Sequence, residues 1–324
     1  MINQFRHLNP INLVLLSVIA FVLRTGVILR LPDSLDFSPF APYASLLIDF
    51  PSGFFSPLSN VVFATVIVLL QAILLNRIVN NYNLLGKPSF MPALMYVTAS
   101  AILEPFVVLS PVLIANFLVL WMIDKFLSIY RKERVLPALF DLGMITAIGT
   151  LIYFPFIAML LLLWVSLVIL RPFNWREWAA GLIGFLTVCF FVATIYYLTD
   201  SLDRFFKSVT LATSFHTGFH VNPHDYIVLL PVLLILVLSA FILRQKFNRS
   251  NVHVRKSYII LQFLLLFPFL SFYLNPEYNI YHFLLAIPSL AIFMALFFIS
   301  STKRWLYESL YLLLSAFIIY FQFV

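Results

Sequence analysis

The sequence predicts an all-α integral membrane protein that crosses a lipid bilayer many times. Of its 324 residues, 63% are hydrophobic and only 10% are charged, whereas a soluble domain carries roughly 25% charged residues. Apolar runs close to the about 20 residues that a spanning helix needs recur along the whole chain. Because backbone groups in lipid must be hydrogen-bonded within the segment itself, we expect helices rather than open strands.

Eleven apolar segments are predicted to cross the membrane, and together they form a single transmembrane domain over residues 1–324. A signal peptide would carry small residues at its cleavage site, but the first segment ends instead with Arg24, Arg30 and Leu31. We therefore expect this segment to be retained as a span and not cleaved. The predicted bounds are 11–30, 58–76, 90–109, 111–129, 137–153, 155–170, 178–198, 226–243, 258–274, 283–300 and 306–323.

The placement of lysine and arginine predicts the orientation, because cytoplasmic loops of membrane proteins are enriched in both. With a cytoplasmic N-terminus, 16 of the 20 basic residues fall on the cytoplasmic side, and the outer side receives only Arg24, Arg30, Arg204 and Lys207. The basic excess is therefore a topology signal, with anionic membrane lipids as neighbours. Nucleic-acid binding is not needed to explain it.

Two long loops are predicted on the outer side, at residues 31–57 and 199–225. Both are rich in aromatic residues and leucine, and residues 37–50 repeat them at the spacing of a helix that lies on the membrane surface. We therefore expect both loops to be partly membrane-associated. The cytoplasmic connections are short and basic, so chemistry is expected on the outer side.

Charged residues inside predicted spans are costly and therefore indicate function or specific pairing. Arg24, near the outer end of the first span, is either a clamp for a phosphate or carboxylate, or an arginine that extends to the outer headgroups. Glu104 precedes Pro105, which is expected to kink the third span. Glu104 is either part of a substrate site or, as we favour, paired with Arg24 or Arg30.

Other polar residues permit two interpretations each. His282, beside Tyr281, either contacts a substrate headgroup or anchors its span at the interface. Asp33 and Asp36 in the first outer loop can act as general bases when partly desolvated, although loop aspartates more often cap turns. Histidines at four-residue spacing in SFHTGFHVNPH suggest a metal site, but a glycine and a proline between them argue against one helix, so no metal is predicted.

Polar residues within the spans also bear on helix packing. Asn116 and Gln262 are predicted to hydrogen-bond to neighbouring helices. With only eight glycines in the chain, we expect little helix packing through small residues.

The segment RPFNWREW, from Arg171 to Trp178, lies on the predicted cytoplasmic side. Tryptophans at an interface and positive residues in the cytoplasm fit a tight corner between helices. A docking site for a cytoplasmic partner is the alternative. The chain resembles a family of multi-pass inner-membrane proteins of Bacteroidota that has no assigned activity, and this segment is the most distinctive part of the likeness.

Three features together resemble the GT-C superfamily of membrane glycosyltransferases. The first is a span followed by a long outer loop with acids. The others are the stretches SPVLIANFLVLWMIDKFLSIYRKER followed by LFDLGMITAIGTLIYFPFIAMLLLLWVSLVILRPF, and LLFPFLSFYLNPEYNIYHFLLAIPSLAIFMAL. In that superfamily a late span often carries a tyrosine and prolines in a pattern similar to YHFLLAIPSLA.

The resemblance implies a GT-C-like helical arrangement and an enzyme of the bacterial cytoplasmic (inner) membrane that uses a polyprenyl-phosphate-linked sugar at the periplasmic face. It implies Asp36 or Asp33 as the base, Arg24 or Arg30 as the phosphate partner, and no cofactor. Glu104 and His282 are further candidates for substrate binding. The alternative is a non-catalytic membrane subunit of a cell-envelope complex, because the first loop lacks the adjacent acidic pair often seen in such enzymes.

Overall fold

A computed structural model describes residues 2–31, 56–130, 132, 134–201, 203, 226–247, 250–274 and 279–323. Within these ranges every regular element is a helix, which confirms the predicted all-α class. The α-helices are α1 (Ile2–Phe5), α2 (Ile11–Val22), α3 (Thr25–Leu29), α4 (Pro57–Asn81), α5 (Met91–Ala99), α6 (Pro111–Ile129), α7 (Leu136–Ile152), α8 (Met159–Leu170), α9 (Trp175–Leu198), α10 (Leu229–Phe247), α11 (Val252–Ser271), α12 (Ile287–Ser300) and α13 (Arg304–Phe323). The 3-10 helices in the same ranges are Glu104–Phe106, Phe154–Ala158, Phe272–Leu274 and Ile280–Ala286.

Seven of the described helical segments are long and apolar enough to cross a membrane, which is the signature of a polytopic helical membrane protein. These are Pro57–Asn81, Pro111–Ile129, Trp175–Leu198, Leu229–Phe247, Val252–Leu274, Ile280–Ser300 and Arg304–Phe323. The apolar helices Ile11–Val22, Leu136–Ile152 and Phe154–Leu170 are shorter. The segment predicted at 90–109 departs most from expectation, since α5 ends at Ala99 and only a short 3-10 turn follows.

Two of the long helices begin at a serine followed by a proline. The Ser56 hydroxyl accepts a hydrogen bond from the Ser59 amide at 3.3 Å, and the Ser110 hydroxyl accepts one from Leu113 at 3.2 Å. The serine satisfies a free amide of the first turn, and the proline has no amide hydrogen to lose there. These sequence pairs therefore define where α4 and α6 begin.

Most of the described basic residues lie at one end of the helix bundle, here called the basic end. The Arg6 guanidinium donates to the carbonyls of Phe298 and Ser301, and Lys256 Nζ donates to the Leu170 carbonyl at 3.1 Å. The first contacts join the end of α1 to the end of α12, and the second joins the start of α11 to the end of α8. The described basic residues at this end are Arg6, Arg77, Lys87, Lys125, Lys132, Arg134, Arg171, Arg176, Arg244, Lys246, Arg255, Lys256, Lys303 and Arg304.

The opposite end, here called the distal end, holds the remaining described arginines, Arg24 and Arg30. Contacts there join the start of α4 to the residues before α6, and the end of α13 to the end of α2. Asn60 Oδ1 accepts from the Leu109 amide at 2.7 Å, and Gln322 Nε2 donates to the carbonyl of Leu23, also at 2.7 Å. Successive segments therefore run between the two ends in alternation, and both long loops leave and rejoin the bundle at the distal end.

Helix α12 forms the centre of the bundle. Every residue from Ile287 to Ile299 is buried, and α5, α10 and α11 pack around it. Helix α9 lies at the periphery, where only 17% of its most apolar stretch is buried, against 83% for Ile280–Ser300. In a membrane the outer surface of α9 contacts lipid or another protein.

Helices α7 and α9 cross through glycines. A Cβ atom on Gly143 would collide with the carbonyl oxygen of Gly181, and a Cβ atom on Gly184 would collide with the carbonyl oxygen of Phe140. The two backbones therefore touch directly, as in small-residue crossings of membrane helices. The expectation of little small-residue packing is wrong here, because three of the few glycines lie at one crossing.

Candidate functional site

Arg24 lies at the break between α2 and α3, and its side chain is fully buried. Its Nη1 donates to the carbonyl of Ala20 at 3.0 Å, and its Nη2 donates to the Ser100 hydroxyl at 2.9 Å. The guanidinium thus turns into the protein, between the first helical segment and the end of α5. The alternative in which Arg24 extends to the lipid headgroups is wrong, because no part of the residue reaches the surface.

No carboxylate among the described residues balances the charge of Arg24. None of the ion pairs in this part of the chain includes it, and its Nε has no hydrogen-bond partner. A buried charge without a counter-ion is strongly unfavourable. A guanidinium with a free donor in this state is suited to bind an anion, because charge-assisted hydrogen bonds to phosphate are strong.

Gln322, near the end of α13, lies beside the same break. Its Nε2 donates to the carbonyl of Leu23 at 2.7 Å and to that of Ala101 at 3.4 Å, while its Oε1 has no partner. Gly26 permits this approach, since a Cβ atom there would collide with the Gln322 side chain. The residues around Arg24 therefore include a second buried polar atom with unused hydrogen-bonding capacity.

Arg30 follows α3 and is exposed. Its guanidinium lies 5.7 Å from the ring centroid of Phe323, a distance compatible with a cation–π contact. Both arginines therefore lie at the distal end, but the side chain of Arg24 is enclosed by protein and that of Arg30 is exposed. Asp33 and Asp36, the two predicted bases, lie outside the described residues.

Glu104 is exposed and opens a 3-10 turn. The kink predicted at Pro105 is a complete end of the α-helix, which stops at Ala99. Among the described residues Glu104 has no ion pair with Arg24 or Arg30, so the predicted pairing is not found there.

The turn that contains Glu104 lies close to both ends of the first long loop. Val107, three residues further along, packs against Val27 and Val61, and Leu31 packs against the same small cluster. Leu31 is the last described residue before the loop, and Val61 lies in the first turns of the helix that follows it. Glu104 therefore lies near the place where the loop leaves and rejoins the bundle.

His282 is fully buried within the 3-10 segment before α12. Its Nδ1 lies 2.9 Å from the Tyr153 hydroxyl, and its Nε2 lies 3.0 Å from both the Pro268 carbonyl and the Ser271 hydroxyl. A carbonyl only accepts, so the hydrogen is assigned to Nε2, and the Tyr153 hydroxyl donates to Nδ1. Both ring nitrogens are occupied, and the histidine ties the end of α11 to the starts of two other segments.

The sequence does not reveal the partners of His282. Tyr153 is 129 residues away, and Ser271 belongs to another helix. One available signal is Pro268, in the last turn of the preceding span. Carbonyls of a last helical turn lack partners within the helix and must find donors elsewhere. The imidazole of His282 is the donor to the Pro268 carbonyl.

Polar side chains also connect helices in the middle of the bundle. Asn116 Nδ2 donates to the Leu284 carbonyl at 2.9 Å, which confirms the predicted helix–helix bond. Gln71 bonds both to the Tyr96 hydroxyl, at 2.8 Å, and to the carbonyl of Leu113, at 2.6 Å. The sequence signal for Gln71 is its isolation in the run VLLQAILL. Gln262, by contrast, faces outward and has no such bond among the described residues.

The geometry of RPFNWREW supports the helix corner. Arg171 Nε lies 3.1 Å from Glu177 Oε2, and the side chain of Asn174 accepts from the first turn of α9. Trp178 stacks on Trp164 with ring centroids 6.0 Å apart. A tight corner between α8 and α9 therefore explains the contacts of these residues, whereas Trp175 remains exposed there.

Metal ligation has no support within the described ranges, where no group of three or more histidine, cysteine or acidic side chains comes together. His216, His220 and His224, whose spacing raised the question, lie outside those ranges.

Comparison with known families places the chain in one of them. A family model matches residues 44–324, which include every helix from α4 onward. The chain belongs to DUF6427. DUF6427 is a family of unknown function, and the matched region begins within the first long loop, after Arg24 and Arg30. No curated protein and no solved structure matches the chain significantly.

Proposed function

We propose that this member of DUF6427 is a GT-C-like glycosyltransferase that uses a polyprenyl-phosphate-linked sugar at the distal end of the bundle. The observation that carries the proposal is the buried guanidinium of Arg24, which lacks a carboxylate partner among the described residues and keeps a free Nε. A donor phosphate would balance this charge. In the transition state the leaving phosphate gains negative charge, which a preorganised guanidinium stabilises.

The surroundings of Arg24 fit this role. Arg30 is exposed at the same end and provides a second positive charge for a phosphate, and the exposed Glu104 is available to a sugar or acceptor hydroxyl. The first long loop, which carries Asp33 and Asp36, starts directly after Arg30. In the proposed reaction one of these carboxylates removes the proton of the acceptor hydroxyl. His282 is a positioning residue in this scheme, because both its nitrogens bond to the protein.

The proposal includes the topology. The eleven segments would all cross the bacterial cytoplasmic membrane, with the basic end in the cytoplasm and the distal end outside. Clustering of the described lysines and arginines at one end supports this orientation. Long polyprenyl chains would lie against the apolar outer surfaces of the helices near Arg24.

The test uses purified protein in lipid nanodiscs with a polyprenyl-phosphate sugar labelled in the sugar. Membrane extract from cells that lack the protein supplies the acceptor. Wild type is expected to transfer the label, and the Asp33→Asn, Asp36→Asn double variant to lose about 100-fold or more, the size of a general-base effect. Asp203→Asn, an exposed acid at the edge of the second long loop, is the matched control and should retain activity. Full activity in the double variant would end the catalytic assignment.

A second candidate is a non-catalytic subunit of an envelope complex. The low burial of α9 favours it, since this helix presents most of its length outward. Complementation of a deletion phenotype separates the two functions. A membrane-inserted Asp33→Asn, Asp36→Asn variant that restores the phenotype fully would support the subunit.

A further inference from the structure

A groove between α4 and α6 at the basic end combines an apolar wall with one acidic and one basic side chain. It has a volume of about 430 Å³. The residues that carry the argument are Leu74, Arg77 and Asn81 from α4, and Phe117, Trp121 and Asp124 from α6.

The groove changes from apolar to polar along its length. Both helices run toward the basic end, so Leu74 and Phe117 lie deeper in the bundle than Asn81 and Asp124. Leu74 and Asn81 are seven residues apart on α4, and so are Phe117 and Asp124 on α6. This separation is a rise of roughly 10 Å along each helix. This matches a lipid whose headgroup lies at the bundle end and whose first acyl carbons lie deeper. Trp121 is half exposed beside it, as tryptophan often is at the membrane interface.

Hydrogen bonds hold the two helices on either side of the groove. On the side of the groove nearer the middle of the bundle, Gln71 Nε2 donates to the Leu113 carbonyl at 2.6 Å. On the side nearer the basic end, the Tyr82 hydroxyl donates to the Asp124 backbone carbonyl at 3.2 Å. These two hydrogen bonds connect α4 and α6 on both sides of the groove and help to set the spacing of its walls.

The two charged side chains are separate within the groove. Arg77 is exposed and Asp124 is half-buried, and neither has an ion-pair partner among the described residues. Burial, then the charge of Asp124 and a hydrogen bond to its side chain, raise the pKa of Tyr82 to about 12. One positive and one negative group thus face the same headgroup-sized space.

We propose that this groove binds a lipid with a phosphoethanolamine headgroup, with its phosphate on Arg77 and Asn81 and its ammonium on Asp124. An anionic glycerol headgroup has no cation for Asp124 and would place its phosphate near that carboxylate. A choline headgroup carries its charge on methyl groups and cannot donate a hydrogen bond. The site lies at the opposite end of the bundle from Arg24 and does not depend on the proposed glycosyl transfer.

The test is native mass spectrometry of the full-length protein with equimolar phosphatidylethanolamine, phosphatidylcholine and phosphatidylglycerol of identical acyl chains. Wild type is expected to retain phosphatidylethanolamine about threefold to fivefold over the others, the range for a partly exposed ion pair. A series with one, two and three N-methyl groups should lose retention stepwise. Equal retention of all headgroups by wild type would overturn the proposal.

Variants locate the effect. Asp124→Asn should reduce phosphatidylethanolamine to the level of phosphatidylglycerol, and Arg77→Gln should reduce all three lipids. Glu308→Gln and Arg244→Gln are the controls, because they remove one negative and one positive charge at the basic end but outside the groove. Both should leave the preference for phosphatidylethanolamine intact. A preference that survives Asp124→Asn would exclude this site. Should a variant fail to fold, the N-methyl series on wild type still tests the headgroup preference, and a flat series would overturn the proposal.

Discussion

The Tyr153 hydroxyl lies 2.9 Å from Nδ1 of His282 and joins two places where α-helical structure gives way to 3-10 turns. Tyr153 precedes the turn before α8, and His282 lies in the turn before α12. The same imidazole bonds to Pro268 and Ser271 at the end of α11. One buried ring therefore connects three irregular segments at the distal end, where their backbone groups lack the partners that a continuous helix provides.

Tyr153→Phe is expected to destabilise the protein by about 1–3 kcal/mol, because Nδ1 of His282 would remain buried without a donor. The measurement is the free energy of unfolding in mixed micelles, or the thermal midpoint in one detergent. Tyr273→Phe is the control, since Tyr273 is 69% exposed and its hydroxyl is expected to contribute little. Equal stability of the two variants would mean that the Tyr153–His282 contact contributes nothing.

Arg24→Met is expected to leave the free energy of unfolding unchanged within about 1 kcal/mol, or to raise it, while sugar transfer is lost. Replacing a buried charge by an apolar side chain of similar size is often neutral or stabilising, although the bond to Ser100 would be lost. Such a separation of stability from activity is typical of residues kept for function. Arg30→Met, at an exposed site, is the control for stability.

A stability loss above about 3 kcal/mol in Arg24→Met would give the opposite answer. The guanidinium would then be retained for its bonds to Ala20 and Ser100, and its buried charge would no longer support a phosphate site.

The sequence identifies the helical segments but not their depth in the bundle. The seven described segments that are long and apolar enough to cross a membrane all coincide with predicted segments, whereas the segment predicted at 90–109 is α-helical only to Ala99. Burial differs sharply, however: Ile280–Ser300 lies in the core and α9 at the periphery, although both are strongly apolar. Lipid is as apolar as a protein core, so hydrophobicity cannot tell a lipid-facing helix from a buried one.

The surroundings of the candidate site residues could not be predicted from the sequence. Arg24 is a candidate from the sequence because its charge lies within a predicted span, but its buried surroundings include Ser100 and Gln322, which are far away in sequence. The ion pair expected for Glu104 is not found among the described residues, where the α-helix ends at Ala99 and Glu104 lies in the 3-10 turn that follows. Long-range partners of this kind have no local pattern that could predict them.

Gly184→Val is expected to destabilise the protein by about 1–3 kcal/mol, because the added side chain would push α9 away from the Phe140 carbonyl. The free energy of unfolding measures this. Cys189→Val makes a similar change on the exposed side of the same helix and should have little effect. If both variants unfold alike, the close approach of α7 and α9 does not contribute to stability.

The basic end and the distal end are expected to lie on opposite sides of the membrane, with the basic end in the cytoplasm. Thr199 and Thr302 test this as a matched pair, because both are exposed, one just after α9 at the distal end and one just before α13 at the basic end. Each is replaced by cysteine in a Cys189→Ala background, and intact spheroplasts are treated with a membrane-impermeant maleimide. Thr199→Cys should react directly, and Thr302→Cys only after lysis.

The maleimide result also decides where chemistry can occur. Labelling of both cysteines in intact spheroplasts would contradict the alternation of the segments, because the two ends could not then be separated by a bilayer. The reverse pattern, with only Thr302→Cys accessible, would place Arg24 and both long loops in the cytoplasm. A donor presented on the outer side could not reach Arg24 in that case, whereas the lipid groove between α4 and α6 would simply face the other leaflet.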